Sequence, residues 1–134
     1  MQYERHVTVA LPFEQAVPRV VDALAEQGFG ILTEIDVQAV LRDKRGIAME
    51  PYVILGACNP DLAHRALEVD RGIGVLLPCN VVVRGAGDRT TVQVFDPLLI
   101  TTVVGREELH PIAAEADQRI HHVLRSLPQG APTR

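Results

Sequence analysis

Two cysteines, Cys58 and Cys79, are each followed by an asparagine and each stand next to or near a proline. Cys58 lies in the segment Gly-Ala-Cys-Asn-Pro and Cys79 in the segment Leu-Pro-Cys-Asn. Both segments lie where the composition of an apolar run changes. Side chains at such positions tend to be exposed rather than buried. An ionised thiol in this setting is the group that nucleophilic, redox or sulfur-transfer chemistry requires.

The residues after Cys58 predict a helix start. Asn59 is a good N-cap residue and Pro60 suits the first helical position. The unpaired amides and the dipole at that end favour the thiolate form of Cys58. His64 lies on the same helix and is a candidate base for this thiol. We therefore take Cys58, Cys79 and His64 as catalytic candidates.

Simpler interpretations of the same residues remain open. Free cysteine often fills a gap in a core, and a helical histidine is often a solvated surface residue. Asn59 and Asn80 are explained as a helix cap and a turn residue, or alternatively as amides that bind a ligand. The two cysteines could form a disulfide only if one sheet brings their Cα atoms within roughly 7 Å.

The sequence predicts no metal site and indicates no particular cofactor. It has neither Cys-x-x-Cys nor His-x-x-x-His spacing, and a closed zinc site needs four ligands, which two cysteines could supply only across a dimer. Phosphate-binding glycine motifs and the Gly-x-Ser-x-Gly elbow are also absent. The single serine, Ser126, falls at a helix end, which argues against a serine hydrolase.

Composition narrows the classes of partner. The formal net charge is −4, with 13 basic and 17 acidic residues spread along the chain, so no basic stripe for nucleic acid is expected. No apolar run is long enough for a bilayer, and the first residues lack the pattern of a signal peptide. We expect a cytoplasmic protein that contacts neither nucleic acid nor membrane.

Periodicity predicts an interleaved α+β domain. Alternating residues predict strands, apolar residues at helical spacing predict helices, and Asp36 and Gly46 bracket a short helix with Val37, Val40 and Leu41 turned inward. A β-rich run over 73–84 is interrupted by Pro78 and is followed by a turn and a hairpin partner. The predicted elements are strands at 3–10, 29–35, 51–57, 73–84 and 90–95, and helices at 12–27, 37–45, 59–67 and 107–127.

This order predicts a two-layer sandwich in which helices pack on one face of a mixed or antiparallel sheet. We expect a single domain over 1–127 and a flexible tail over 128–134. Residues 96–105 suit either a further strand or an exposed apolar loop. That segment, or the apolar stripe of the last helix over 109–127, could close a homodimer.

Three motifs carry a resemblance to a known family. They are Thr-Glu-Ile-Asp-Val-Gln-Ala at 33–39, Tyr-Val-Ile-Leu-Gly-Ala-Cys-Asn-Pro at 52–60, and Gly-Val-Leu-Leu-Pro-Cys-Asn-Val-Val-Val at 74–83. In this order they resemble the domain of unknown function family 302, and the likeness extends more weakly through Asp96-Pro97. The resemblance implies a small α+β domain that tends to form homodimers, and it implies no established activity.

Three hypotheses about function follow. The first is a small dimeric module that binds a ligand or a partner near Cys58 and Cys79, with Asn59 and Asn80 as binding residues. The second is a thiol-dependent redox or sulfur-transfer protein, in which Cys58 reacts, Cys79 resolves and His64 acts as base. The third is a purely structural role in a homodimer.

Overall fold

The structure, a computed structural model, describes residues 2–130. Within that range the chain forms five strands, five α-helices and two short 3-10 turns. The strands are β1 (Glu4–Val9), β2 (Gly30–Asp36), β3 (Tyr52–Cys58), β4 (Cys79–Ala86) and β5 (Arg89–Phe95). The helices are α1 (Phe13–Glu26), α2 (Val37–Arg45), α3 (Pro60–Val69), α4 (Leu99–Val104) and α5 (His110–Ser126), and the 3-10 turns are Arg71–Leu76 and Glu107–Leu109.

The strands form one open sheet in the order β1-β5-β4-β3-β2, and every neighbouring pair is antiparallel. The pairing of β2 with β3 shifts between Ile31 and Thr33, which marks a bulge. The predicted α+β class is therefore confirmed. Of the two alternatives for the sheet, the antiparallel one is observed.

Alternation along the strands separates a covered face from an uncovered one. On β3, Val53, Leu55 and Ala57 are buried, and the residues paired with them across β4 share their face. Helices α1 and α5 pack together against this face and close the main core. The buried aliphatic residues of this core include Val20, Leu24, Val81, Val83, Val92, Val94, Ile120, Val123 and Leu124.

Helix α5 buries the later part of its apolar stripe in this core, and Leu109 packs in a second, smaller cluster with Ala66 and Ile73. Ala113, Ile120, Val123 and Leu124 are all buried, as is Leu109 just before the helix. The stripe predicted from sequence is confirmed. Because the sheet already covers it, the stripe is not available to close a homodimer.

Helix α2 begins and ends at its predicted residues. The Asp36 carboxylate accepts a hydrogen bond from the Ala39 amide at 2.9 Å, and Gly46 ends the helix in the left-handed region at φ 63°. The expectation that Val37, Val40 and Leu41 turn into a core is wrong, because no residue of α2 is fully buried. This helix lies in the connection between β2 and β3, where the sheet offers it little surface.

Two segments differ from the structures that the sequence suggested, a strand over 73–84 and a strand or an exposed apolar loop over 96–105. Residues 71–76 form a 3-10 turn, because the Asp70 carboxylate accepts a hydrogen bond from the Gly72 amide at 2.8 Å and starts a helical turn. The Leu77–Pro78 peptide is cis, and β4 begins only after it, since proline cannot donate a ladder hydrogen bond. The ambiguous segment 96–105 contains α4 rather than a strand.

The end of the described chain returns to the first strand. The Ala10 amide donates to the Pro128 carbonyl and the Gly130 amide donates to the Thr8 carbonyl, both at 2.8 Å. Residues 131–134 of the tail predicted over 128–134 lie outside the described residues. None of the helices within 2–130 combines the length and the apolar character needed to cross a bilayer.

Candidate functional site

A cavity of about 330 Å³ lies between α3, α5 and the edge of the sheet at which β3 ends and β4 begins. The turn Arg71–Leu76 and the segment from Phe95 to Ile100 complete its walls. The wall residues are mainly apolar and include Phe29, Ala57, Leu62, Ala63, Ala66, Ile73, Leu77, Ile112, Ala113, Ala116 and Ile120. Four residues singled out from the sequence, Cys58, Asn59, Cys79 and Asn80, also belong to this wall.

Small side chains create the space. Alanines from the sheet, from α3 and from α5 face the cavity at Ala57, Ala63, Ala66, Ala113 and Ala116. Larger aliphatic residues at these positions would fill the gap between the two helices and the sheet. The alternation of alanines with leucine and isoleucine therefore leaves a cavity beside a core that is otherwise closely packed.

The mouth of the cavity is apolar as well. Val75 and Leu76 on the 3-10 turn and Phe95 at the end of β5 line the cavity and are also exposed, Val75 to 88%. These three side chains both line the cavity and reach solvent, so the opening of the cavity is apolar.

Asn59 occupies the position predicted from the sequence. Its Oδ1 accepts a hydrogen bond from the Leu62 amide at 3.2 Å, and its Nδ2 donates to the Gln27 carbonyl at 3.4 Å. The first bond caps α3, as expected, and the second joins this cap to the end of α1. Both polar atoms of the Asn59 side chain therefore have hydrogen-bond partners within the protein, although the residue borders the cavity.

Cys79 lies on the covered face of the sheet, paired with Ala57 of β3. It packs against the main core and borders the cavity. Burial raises the pKa of the Cys79 thiol to about 11, because the apolar surroundings disfavour the thiolate. At neutral pH this side chain presents an uncharged S–H to the cavity.

Cys58 is one residue beyond Ala57 and so projects from the opposite face of the sheet. The sheet brings both cysteines to the same edge, as the sequence suggested, but alternation turns the two sulfur atoms apart. Both are free thiols, and they do not form a pair. Asn80, adjacent to Cys79 on β4, is exposed and shares the face of Cys58.

His64 does not reach the cavity wall. Its side chain is 72% exposed, and its Nε2 lies 3.3 Å from Oε1 of Glu68, one turn further along α3. The residues of α3 that face the cavity are Leu62, Ala63 and Ala66. The structure therefore places His64, the candidate base for Cys58, on the solvent side of α3 and outside the wall that Cys58 borders.

A network of charged residues beside the cavity was missed in the sequence. The Glu115 carboxylate accepts hydrogen bonds from Arg65 of α3 and Arg119 of α5, each at 3.1 Å. These bonds hold the pKa of Glu115 below its usual value. Arg119 also donates to the Gln27 carbonyl at 3.0 Å, the acceptor used by Asn59.

The network ties α3 and α5 together along one side of the cavity and joins both helices to the end of α1. The spacing of Glu115 and Arg119, four residues apart on one helix, was the available sequence signal. The link to Arg65 joins residues 50 positions apart and has no local signature. Among residues 2–130, no group of three or more His, Cys, Asp or Glu side chains is arranged to hold a metal ion.

These features define a two-layer α+β domain with an apolar cavity at one edge of its antiparallel sheet. The family model for the domain of unknown function DUF302 matches residues 5–127, and the chain belongs to this family. The resemblance noted in the sequence is thereby confirmed.

A solved structure shares the fold. The uncharacterized conserved protein DUF302 from Bacillus stearothermophilus is 28% identical in sequence, with a TM-score of 0.86. The match covers 93% of this chain and 98% of that protein. No curated protein matches the chain.

Proposed function

We propose that this protein is a small binding module whose ligand is a predominantly apolar small molecule held in the cavity beside Cys79. The observation that carries this proposal is the cavity itself, about 330 Å³ in volume with a mainly apolar wall. Its volume is at the lower end of the range for small-molecule sites, about 300 to 1,000 Å³. Cys58, Asn59, Cys79 and Asn80 are the polar residues that border the cavity, and of these the Cys79 thiol lies on its face of the sheet.

The free-energy cost of leaving apolar surface in contact with water supports a ligand in this cavity. Apolar surface costs roughly 25 cal/mol for each Å² left in contact with water. A molecule that fills the cavity would remove from water the exposed apolar surface of Val75, Leu76 and Phe95. Binding by burial requires no catalytic group, which agrees with the dispersed positions of the two sulfurs and His64.

Titration with a polarity-sensitive naphthylamine dye tests the proposal. We expect saturable fluorescence enhancement with the wild-type protein and a clear loss of affinity in Ala66→Val, which places two more carbons in the cavity. The matched control is Ala23→Val, because Ala23 and Ala66 are helical alanines with 8% and 7% exposure and Ala23 lies outside the cavity wall. Equal affinity in the two variants, or no saturable binding, would contradict the proposal.

We also propose that two copies associate through the uncovered face of the sheet. The resemblance described above implies homodimers. Ile35, Ile54 and Val82 are paired side by side across β2, β3 and β4, so they form an apolar row on this face. Sedimentation tests this surface: Ile54→Lys should shift a dimer to a monomer, whereas Val103→Lys on the exposed side of α4 should not. A wild-type monomer at all concentrations would contradict the proposal.

The alternative, a thiol-dependent redox or sulfur-transfer protein using Cys58 and Cys79, has less support. It requires a resolving thiolate at Cys79, and burial keeps that thiol protonated. It also requires the sulfurs to meet, and they project from opposite faces.

A cytoplasmic location remains our proposal, supported by two unpaired thiols, which persist in reducing compartments.

A further inference from the structure

We infer that the ligand is an uncharged aliphatic molecule of about ten carbon atoms or fewer, held in the cavity with no charged group inside it. This inference rests on the proposed function and specifies its ligand class. It combines three observations: the chemistry of the wall, the pairing of two cations on neighbouring segments, and the volume.

The wall offers no partner for a charge. Within the described part of the chain, none of the residues that border the cavity is Asp, Glu, Lys, Arg or His. Asn59 is already bonded to Leu62 and Gln27, and the Cys79 thiol is a weak donor. A carboxylate or ammonium group brought inside would lose its hydration without a compensating ion pair, which is strongly unfavourable.

Two cations on neighbouring segments are each paired with a carboxylate. Arg71, at the start of the 3-10 turn that carries Val75 and Leu76, lies 3.4 Å from Glu68, and Arg106, after α4, lies 2.9 Å from Glu108. The exposed residues of the wall, Val75, Leu76 and Phe95, are apolar. A short chain that left its charged head at these side chains would therefore meet no charged residue of the wall.

The volume of the cavity limits the length of the chain that it can hold. An apolar cavity of about 150 Å³ accommodates benzene, with six carbons, so a cavity of about 330 Å³ holds about twice as much, roughly ten carbons of a flexible chain. Both helical walls are built from alanine, Ala63 and Ala66 on α3 and Ala113 and Ala116 on α5. A wall of this kind suits a flexible chain better than a polar ring, which would need placed hydrogen-bond partners.

Displacement of the bound naphthylamine dye by homologous straight-chain alcohols, carboxylates and trimethylammonium salts at pH 7.5 tests the inference. For alcohols from six carbons upward, we expect affinity to rise about threefold to fourfold with each methylene and to level off near ten carbons. Carboxylates and ammonium salts of six to ten carbons should bind at least tenfold more weakly than the alcohol of equal length.

Two variants test whether the alcohols bind in this cavity. In Ala66→Val the length at which alcohol affinity levels off should fall by about two carbons, while Ala23→Val should keep the wild-type length. If the dye binds but charged and uncharged chains compete equally, or affinity rises without limit beyond ten carbons, the inference fails and the binding proposal stands. If no dye or alcohol binds, both fail.

Discussion

Cys79 is paired with Ala57 across strands β3 and β4, and Cys58, the residue after Ala57, therefore projects from the other face of the sheet. Two cysteines whose Cβ atoms point apart cannot be joined without moving the backbone, even when they lie on neighbouring strands. The sequence allowed either two cysteines that react as a pair or two separate thiols. The opposite directions of the side chains favour two separate thiols.

We predict that mild oxidation of dilute protein leaves both thiols of each chain free, as counted after unfolding in denaturant. The matched control is the double variant Ala57→Cys with Cys58→Ala. It has the same number of thiols but places the second one directly opposite Cys79 on the same face, so it should close a disulfide. Rapid loss of both wild-type thiols within a monomer would show that the strands separate enough for the sulfurs to meet.

The buried thiol of Cys79 should also make stability depend on pH. Its folded-state pKa of about 11 lies above the usual cysteine value of about 8.5, so the folded protein keeps a proton that the unfolded chain releases. The stability contributed by the neutral thiol is fully present below pH 8 and is lost as pH rises towards 11. By pH 10 the loss should be about 1 to 2 kcal/mol.

Denaturant unfolding of the wild type and Cys79→Ala at several pH values from 7 to 10 measures this contribution. The variant should show a smaller decline with pH, because it lacks the titrating group. Val81→Ala, which truncates a neighbouring buried residue of β4 without removing a thiol, should be less stable throughout but keep the wild-type slope. Parallel declines in the wild type and Cys79→Ala would contradict a raised pKa.

Much of the fold could be predicted because its signals are local. Asp36 and Asn59 cap the helices that follow them, and Gly46 ends α2, since capping depends on residues within one turn. The turn at Gly87, with φ 64°, likewise defines the β4–β5 hairpin. These interactions span few residues and leave a direct mark on the sequence.

The candidate site was only partly predictable, because it depends on contacts between distant segments. The sequence allowed Cys58 and Cys79 to lie at one edge of a sheet but did not establish it. Their faces depend on the pairing of Ala57 with Cys79, which a one-residue slip would reverse. The cavity depends on alanines from α3 and α5 that meet only in the folded protein. Alanine is also a common helix former, so its role at Ala66 and Ala113 could not be distinguished from propensity.

The Asn59 side chain should stabilise the fold rather than bind a ligand through its amide. Asn59→Ala removes the cap of α3 and the bond to the Gln27 carbonyl, and we expect it to lower the free energy of unfolding by about 1 to 2 kcal/mol. Asn59→Asp retains the oxygen that accepts from Leu62 and should recover at least half of that loss. Dye affinity measured on folded Asn59→Asp should stay near wild type. A large loss of affinity there would assign the amide to the ligand.

Gly56 of β3 lies close to β2 and to the segment that contains Pro78, on the uncovered face of the sheet. A Cβ atom built at this position would collide with Oγ1 of Thr33 on β2 and would stand 2.9 Å from Cγ of Pro78. The Thr33 hydroxyl can rotate away, whereas the Pro78 ring is rigid. Gly56→Ala should therefore destabilise the protein by about 1 to 3 kcal/mol, the usual cost of overpacking.

A double-mutant cycle with Thr33→Ala separates the two contacts, since removing the Thr33 hydroxyl relieves only one of them. We expect the cycle to recover part of the loss and to leave the part due to Pro78. Gly30→Ala is the matched control, because Gly30 is also a strand glycine and its added Cβ would meet no atom within 4 Å. Thermal unfolding of the four proteins and the control measures these differences. A Gly56→Ala protein as stable as Gly30→Ala would show that Pro78 yields, and that the packing of this segment over β3 is looser than the structure implies.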